Sequence, residues 1–258
     1  MKFYLSILLI PLFSVLISAT GCAEQKVSEL RAKYGDKKTG KLTGAGGLKY
    51  EQLSELLPYL PQIPEFKVLA CGSNKLTAND IVLISKIKQL QELRIRSTNL
   101  SSKDFAPLAD LQNLKTLIID TNNNVNDEIF ETLSKMKLTS VDLRFTNIHG
   151  HNIEKLGNNP ELKILKLNGT NCDDITAAKI AQFSQLQKLD MSDTKITETG
   201  VRSMLGMLQL EDPALGYYPK DKAIELATIA IANRQKARAA GQSTAPDNLA
   251  PFAASLEK

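Results

Sequence analysis

The sequence predicts an α/β repeat solenoid whose units each run from strand through turn to a short helix and back. Three observations predict it. An apolar beat recurs every 24 residues at Phe66, Leu90, Leu114, Leu138, Leu162 and Leu186 and next falls on Leu210. Within a unit the period changes from two to three. And no single unit has enough apolar surface to bury alone, so neighbours must stack to share a core.

The first half of each unit is a strand. The unit at 186 runs Leu186, Leu189, Met191, then Thr194 and Ile196. Apolar residues at the fourth and sixth positions alternate with polar ones, as a half-buried strand requires. The ninth position is Asn74, Thr98, Asn122, Thr146, Thr170 or Thr194, short polar side chains that bond backbone as the chain turns. The second half is a short helix or 3₁₀ turn. Apolar residues spaced by three give it one inward face: Ile81, Ile84 and Ile87; Phe105, Leu108 and Leu111; Ala177, Ile180 and Phe183; Val201, Met204 and Met207. Two units depart. Asn122-Asn123-Asn124 shifts one apolar role to Val125 and moves the helix face to Phe130, Leu133 and Met136, which reads as a one-residue bulge in the turn. In the unit at 138, Asn159-Pro160 interrupts the helix end.

The pattern Leu-x-x-Leu-x-Leu-x-x-Asn/Thr-x-Leu resembles the leucine-rich repeat family, and Thr197-Glu-Thr-Gly-Val201 is closest to its bacterial 24-residue form. The resemblance covers roughly 55–60% of the chain. It implies a right-handed solenoid with a parallel sheet on the concave side and short helices on the convex side, in agreement with the handedness of parallel crossovers.

The chain opens on other material. Lys2 precedes an apolar run from Phe3 to Ile17, then Ser18-Ala19-Thr20-Gly21-Cys22. A positive start, a short apolar core and small residues predict a signal peptide over 1–21. The run is shorter than the ~20 residues a spanning helix needs. Its end resembles the lipobox of bacterial lipoproteins, which implies a lipid-modified Cys22 and a membrane anchor. Simple secretion, with cleavage after Gly21 or Ala23, is the plainer alternative. Ala23 after the cysteine leans toward the outer membrane or a periplasm-facing location.

Residues 22–47, polar and then glycine-rich, read as a lipid-anchored linker. No phosphate-cradle spacing occurs among their glycines. Residues 48–63 keep the beat through Leu57, Leu60 and Ile63 and read as a half-repeat capping the first strand's edge. The six repeats then occupy 64–209. Pro213 has no donor for a ladder, so the sheet is expected to end before it. Residues 210–240 are expected to close the core with a helix, apolar through Ile224, Leu226, Ile229 and Ile231. Its basic end at Arg234, Lys236 and Arg238 also allows a docking role. The Ala-, Ser- and Pro-containing stretch 241–258 is expected to be a disordered tail.

Function is sought on the outward strand positions. The fifth are Ala70, Arg94, Ile118, Asp142, Lys166 and Asp190; the seventh are Gly72, Arg96, Asp120, Arg144, Asn168 and Ser192. Adjacent strands lie about 4.8 Å apart, so Arg96–Asp120–Arg144 and Asp142–Lys166–Asp190 are expected to form ladders of alternating sign. The plain reading is a solvated face whose charges pair with one another. The functional one is a protein-binding face of Arg94, Arg96, Ile118, Asp120, Asp142, Arg144, Lys166 and Asp190. Phe145, beside Ile118 and Ile164, is its aromatic anchor. Mixed signs argue against a nucleic-acid groove, which needs a stripe of one sign. The formal charge of +4, +3 once Lys2 is removed, is too mild for an acidic polymer.

Cys71 and Cys172 fall on core positions four repeats apart, roughly 19 Å at strand spacing, too far for a disulfide. Two free buried thiols are expected. His149 and His151 have no adjoining ligands, so no metal or cofactor site is expected. No catalytic motif is present, which points away from an enzyme. The expectation is an exported, monomeric lipoprotein that binds a protein through its concave face. A structural envelope protein and a soluble secreted effector of host proteins are the alternatives.

Overall fold

The computed structural model describes residues 23–33, 44–45, 49–157, 159–215 and 220–245. Cys22, the leader 1–21 and residues 246–258 lie outside the described residues.

The expected α/β repeat solenoid is the fold. Eight strands form one sheet in sequence order, every neighbouring pair parallel: β1 (Gly44–Ala45), β2 (Val68–Gly72), β3 (Glu92–Arg96), β4 (Thr116–Ile118), β5 (Ser140–Asp142), β6 (Ile164–Lys166), β7 (Lys188–Asp190) and β8 (Asp212–Ala214). The register is the beat itself. Leu69 lies opposite Leu93, Leu93 opposite Leu117, Leu117 opposite Val141, Val141 opposite Leu165 and Leu165 opposite Leu189. A slip by one residue would turn every one of these side chains out of the core.

The returns are α3 (Ala78–Ile84), a 3₁₀ segment (Ser102–Asp110), α4 (Ile129–Leu133), α5 (Glu154–Gly157), α6 (Asp174–Ile180) and α7 (Glu198–Met204). They start where the sequence supplies caps. Thr77 accepts from the Asp80 N–H, Asp173 from that of Thr176 and Thr197 from that of Thr199. Pro107 lies inside the 3₁₀ segment, where the fixed ring and missing N–H of proline oppose a longer α-helix. Phe66, Leu90, Leu114, Leu138, Leu162 and Leu186 are all fully buried, and the helix-face residues join them in one cluster. Asn159 takes an apolar place in the unit at 138. It is buried, and its Nδ2 donates to the Leu138 carbonyl at 2.9 Å while its Oδ1 accepts from the Glu161 N–H at 3.1 Å. A polar residue is tolerated there because its amide finds partners.

Four expectations at the ends are corrected. The linker is not wholly a tether: residues 23–33 form a helix, α1, and Val27 and Leu30 are buried in the common core. Lys26 bonds Glu55 and Arg31 bonds Glu65 across to the cap. Two apolar residues one turn apart were enough to dock a polar segment. Second, Gly44–Ala45 pairs with Val68 and Leu69. Glycines weaken a strand but do not remove its N–H and C=O groups. Third, Pro213 does not end the sheet before β8. It sits opposite Leu189 in the outermost strand, where a missing donor can face away from the ladder. Fourth, the tail is ordered at its start, since Ala245 is buried and its N–H donates to the Leu208 carbonyl at 2.8 Å.

Helix α2 (Tyr50–Leu56) and a short 3₁₀ turn (Leu60–Gln62) fill the amino-terminal end with Leu53, Leu56, Leu57, Leu60 and Ile63. The other end carries α8 (Lys220–Ala239), which buries Leu226, Ala227 and Ala230, while Ile224 is exposed and Ile229 is only partly buried. Of its basic end only Arg234 turns inward, while Lys236 and Arg238 are exposed. Arg234 is buried and donates to the Leu210 carbonyl, and Arg238 donates to the Thr244 hydroxyl at 2.6 Å. Among the described residues no helix is long and apolar enough to cross a membrane.

Candidate functional site

Alternation along each strand sends the fourth and sixth positions into the core and leaves the fifth and seventh on the open face. The ladder runs past the assigned strands. The N–H groups of Ile119, Leu143 and Leu167 donate to the carbonyls of Asp142, Lys166 and Asp190; two residues on, those of Thr121, Phe145 and Gly169 donate to Arg144, Asn168 and Ser192. This second set demands an unusual backbone. Ser97, Thr121, Phe145, Gly169 and Asp193, the eighth position of five successive repeats, all have positive φ, between 50° and 69°. Only one is glycine, so the residues alone did not announce the bend.

Just beyond it, the ninth position works as expected. The hydroxyls of Thr146, Thr170 and Thr194 donate to the carbonyls of Leu143, Leu167 and Met191 at 2.5–2.7 Å. Asn122 spans two repeats. Its Oδ1 accepts from the Thr98 N–H and hydroxyl at 2.7 and 2.6 Å, and its Nδ2 donates to the Ile95 and Asp120 carbonyls.

On the open face the charges pair, but not in the expected ladders. Arg96 Nε bonds Asp120 at 2.6 Å across one strand. Arg144 turns from Asp120 to Asp142 of its own strand, at 2.8 and 3.0 Å to the two oxygens. That bond outweighs burial, which acts the other way, and pushes the Arg144 guanidinium above its ordinary value, so it stays charged. Arg94 bonds Glu92 at 2.5 Å. The second ladder is not built: Lys166 forms no ion pair among the described residues, and Asp190 accepts from the N–H and hydroxyl of Ser192 instead. The carboxylates sink while the cations stay outward, since Asp120 and Asp142 are buried and Arg94 and Arg96 exposed. Arginine stems reach over a carboxylate that a short side chain holds close to the sheet. Ile118 is partly buried among them. The Oδ1 of Asn168, at the seventh position after Arg144, is buried without a hydrogen-bond partner, the single such side-chain atom among the described residues.

Phe145 is 47% exposed. It does not lie beside Ile118 and Ile164. It stands three and five positions further along the strand direction, roughly 10–17 Å at strand rise, in the turn. Its ring covers Gly169 of the next repeat so closely that a Cβ there would fall 2.4 Å from Phe145 Cδ1. Beside the ring is an open groove of about 370 Å³, lined by Asn123, Phe145, Thr146, Asn147, Gly169 and Asn171.

Cys71 and Cys172 are free and buried, as expected. Burial pushes the Cys71 thiol up to about 12 and the Cys172 thiol up to about 11. His149 and His151 flank a turn held by Asp127, whose Oδ1 accepts from the His149 and Gly150 N–H groups and whose Oδ2 lies 2.9 Å from His151 Nδ1. Among the described residues no group of three or more His, Cys, Asp or Glu side chains converges as metal ligands would.

No protein-family model matches the chain, and no curated protein matches it. Three solved structures resemble it in part. An internalin from Listeria monocytogenes is 16% identical over 61% of this chain and 50% of its own, with a TM-score of 0.45. A leucine-rich repeat protein from Leptospira interrogans is 20% identical over 73% of this chain and 45% of its own, also at 0.45. The leucine-rich repeat ectodomain of a plant receptor kinase from Arabidopsis thaliana, in complex with Casparian strip integrity factor 2, is 16% identical over 66% and 24%, at 0.41. The chain spans half or less of the length of each.

Proposed function

We propose that this is a non-enzymatic leucine-rich repeat lipoprotein, exported, anchored through Cys22, and binding a protein partner through the open face of its sheet. The observation that supports contact best is the orphaned Asn168 carbonyl. A buried acceptor without a donor costs about 1–3 kcal/mol, and a turn of the amide toward the open face to meet an N–H of a docked chain would remove that cost. Around it the cations are already placed. Carboxylates hold Arg96 and Arg144 by Nε, which leaves the outer guanidinium edges for a partner's carbonyl or carboxylate groups at little further entropic cost.

Photo-crosslinkers at positions 94 and 166 in living cells, read by mass spectrometry, test the face. One recurrent envelope protein at both positions, lost in the Arg144→Ala/Asn168→Ala double variant, is the expected result. Absence of any crosslinked protein favours a structural envelope role, and capture of host proteins favours a soluble effector. Palmitate labelling that disappears in Cys22→Ala checks the anchor separately.

A further inference from the structure

We propose that the groove in the turns after β4, β5 and β6 is a binding site for a neutral saccharide, distinct from the protein-binding face. Two features pick out this groove. Phe145 is the one large side chain among the five left-handed eighth positions, whose other members are Ser97, Thr121, Gly169 and Asp193. All five positions share that backbone, so what sets Phe145 apart is the size of the side chain it carries into the turn. The ring is also braced, since Gly169 lets its Cδ1–Cε1 edge settle against the next repeat's backbone while the residue stays nearly half exposed. It is a platform rather than a loose side chain.

The second feature is the lining. Asn123, Asn147 and Asn171 stand at one position of three successive repeats, about 4.8 Å apart. Asn171 Nδ2 donates to Asn147 Oδ1 at 3.3 Å. Among the described residues that leaves Asn147 Nδ2, Asn171 Oδ1 and the whole Asn123 amide without a protein partner. No charged side chain lines the groove. An amide offers donors and acceptors together, as hydroxyls need, and the absence of charge disfavours ionic ligands. The electron-rich ring face attracts polarised C–H groups. One flat C–H face with hydroxyls at its edge describes a pyranose. An extended peptide fits less well. Two of its residues advance about 6.7 Å, so it falls out of step with amides about 4.8 Å apart.

Saturation-transfer difference NMR on the full chain, with cellotetraose and chitotetraose as probes at millimolar concentration, tests the site. We expect transfer to ring C–H protons of at least one sugar. It is lost in Phe145→Ala, weakened about tenfold in affinity in Asn147→Ala, and unchanged in Arg94→Ala, which lies on the sheet face. No transfer from either sugar overturns the proposal, as does equal transfer from Phe145→Ala. Loss of a protein crosslink in Phe145→Ala without any sugar signal assigns the groove to the protein partner instead. Arg144→Ala/Asn168→Ala, outside the groove lining, should lose the protein crosslink and keep the sugar signal, so the two readings fail separately.

Discussion

Position eight holds a left-handed backbone in five consecutive repeats, and threonine and phenylalanine occupy two of those places. The ladder imposes it, because the N–H there must reach the next repeat's carbonyl while the chain turns away. For a residue with a Cβ the conformation costs about 1–2 kcal/mol, and asparagine bears it best among non-glycines. Thr121→Asn should therefore stabilise the protein by about 1 kcal/mol, read as a raised urea midpoint at unchanged slope. Gly169→Ala should do the reverse. Its new methyl meets the Phe145 ring in a strained backbone, at about 1–2 kcal/mol. Truncating the ring in Gly169→Ala/Phe145→Ala should recover only the steric part, a double-mutant cycle that separates clash from strain. None of this was legible beforehand. Ser97, Thr121, Phe145 and Asp193 share no chemistry that marks a positive φ, and the rule lies in the hydrogen-bond register rather than in side chains.

At the scale of elements, junctions between repeats depend on a few polar side chains. Asn122 is fully buried and makes four hydrogen bonds, two at each end of its amide, three of which join β3's repeat to β4's while the fourth returns to Asp120 of its own repeat. Asn122→Ala would strand the Thr98 N–H and the Ile95 carbonyl, and a loss of about 3 kcal/mol is expected by denaturant unfolding. Helix starts were readable because their caps are chemical. Asp173 before α6 is one, and the Thr176 backbone N–H, more than any other cause, lowers its carboxyl below the ordinary range. With the folded value depressed, the ionised cap's contribution is present above the unfolded value of about 3.9 and is lost as pH falls through the folded one. Asp173→Asn keeps the cap and should flatten that part of the acid limb below about pH 4, followed by urea midpoints. The ends were read less well than the repeats. In the centre six leucine-type residues repeat the same instruction; at the edges single residues decide. Pro213 argued against a strand and Val27 and Leu30 argued only faintly for a helix, yet the edge needed just two faces covered and accepted both.

The whole molecule couples its repeats through nearest neighbours, so stability should be lost from the ends inward. Two buried thiols report on this. Cys71 sits in β2 near the amino-terminal end, and Cys172 lies deep in the fifth repeat. With both thiols pushed well above neutrality, neither should react at neutral pH except through local opening. Leu30→Asp, which places a charge in the contact of α1 with the cap, should speed alkylation of Cys71 several-fold and leave Cys172 almost unchanged, by residue-resolved mass spectrometry. Equal acceleration at both sites would mean that the solenoid opens as one unit.

The described part of helix α1 opens at residue 23, one peptide bond from the cysteine proposed to carry lipid. Residues 34 onward come after that docked helix in the chain, so they add nothing to the distance between bilayer and solenoid while Val27 and Leu30 stay seated. A lipid on Cys22 would then mount the repeats like a bracket on a wall, at close standoff and in one orientation, and a ligand would have to come within arm's length of the headgroups. Pulling the helix off its seat would turn the bracket into a leash, and fluorescence quenching between lipid and a dye on β8 would register the change.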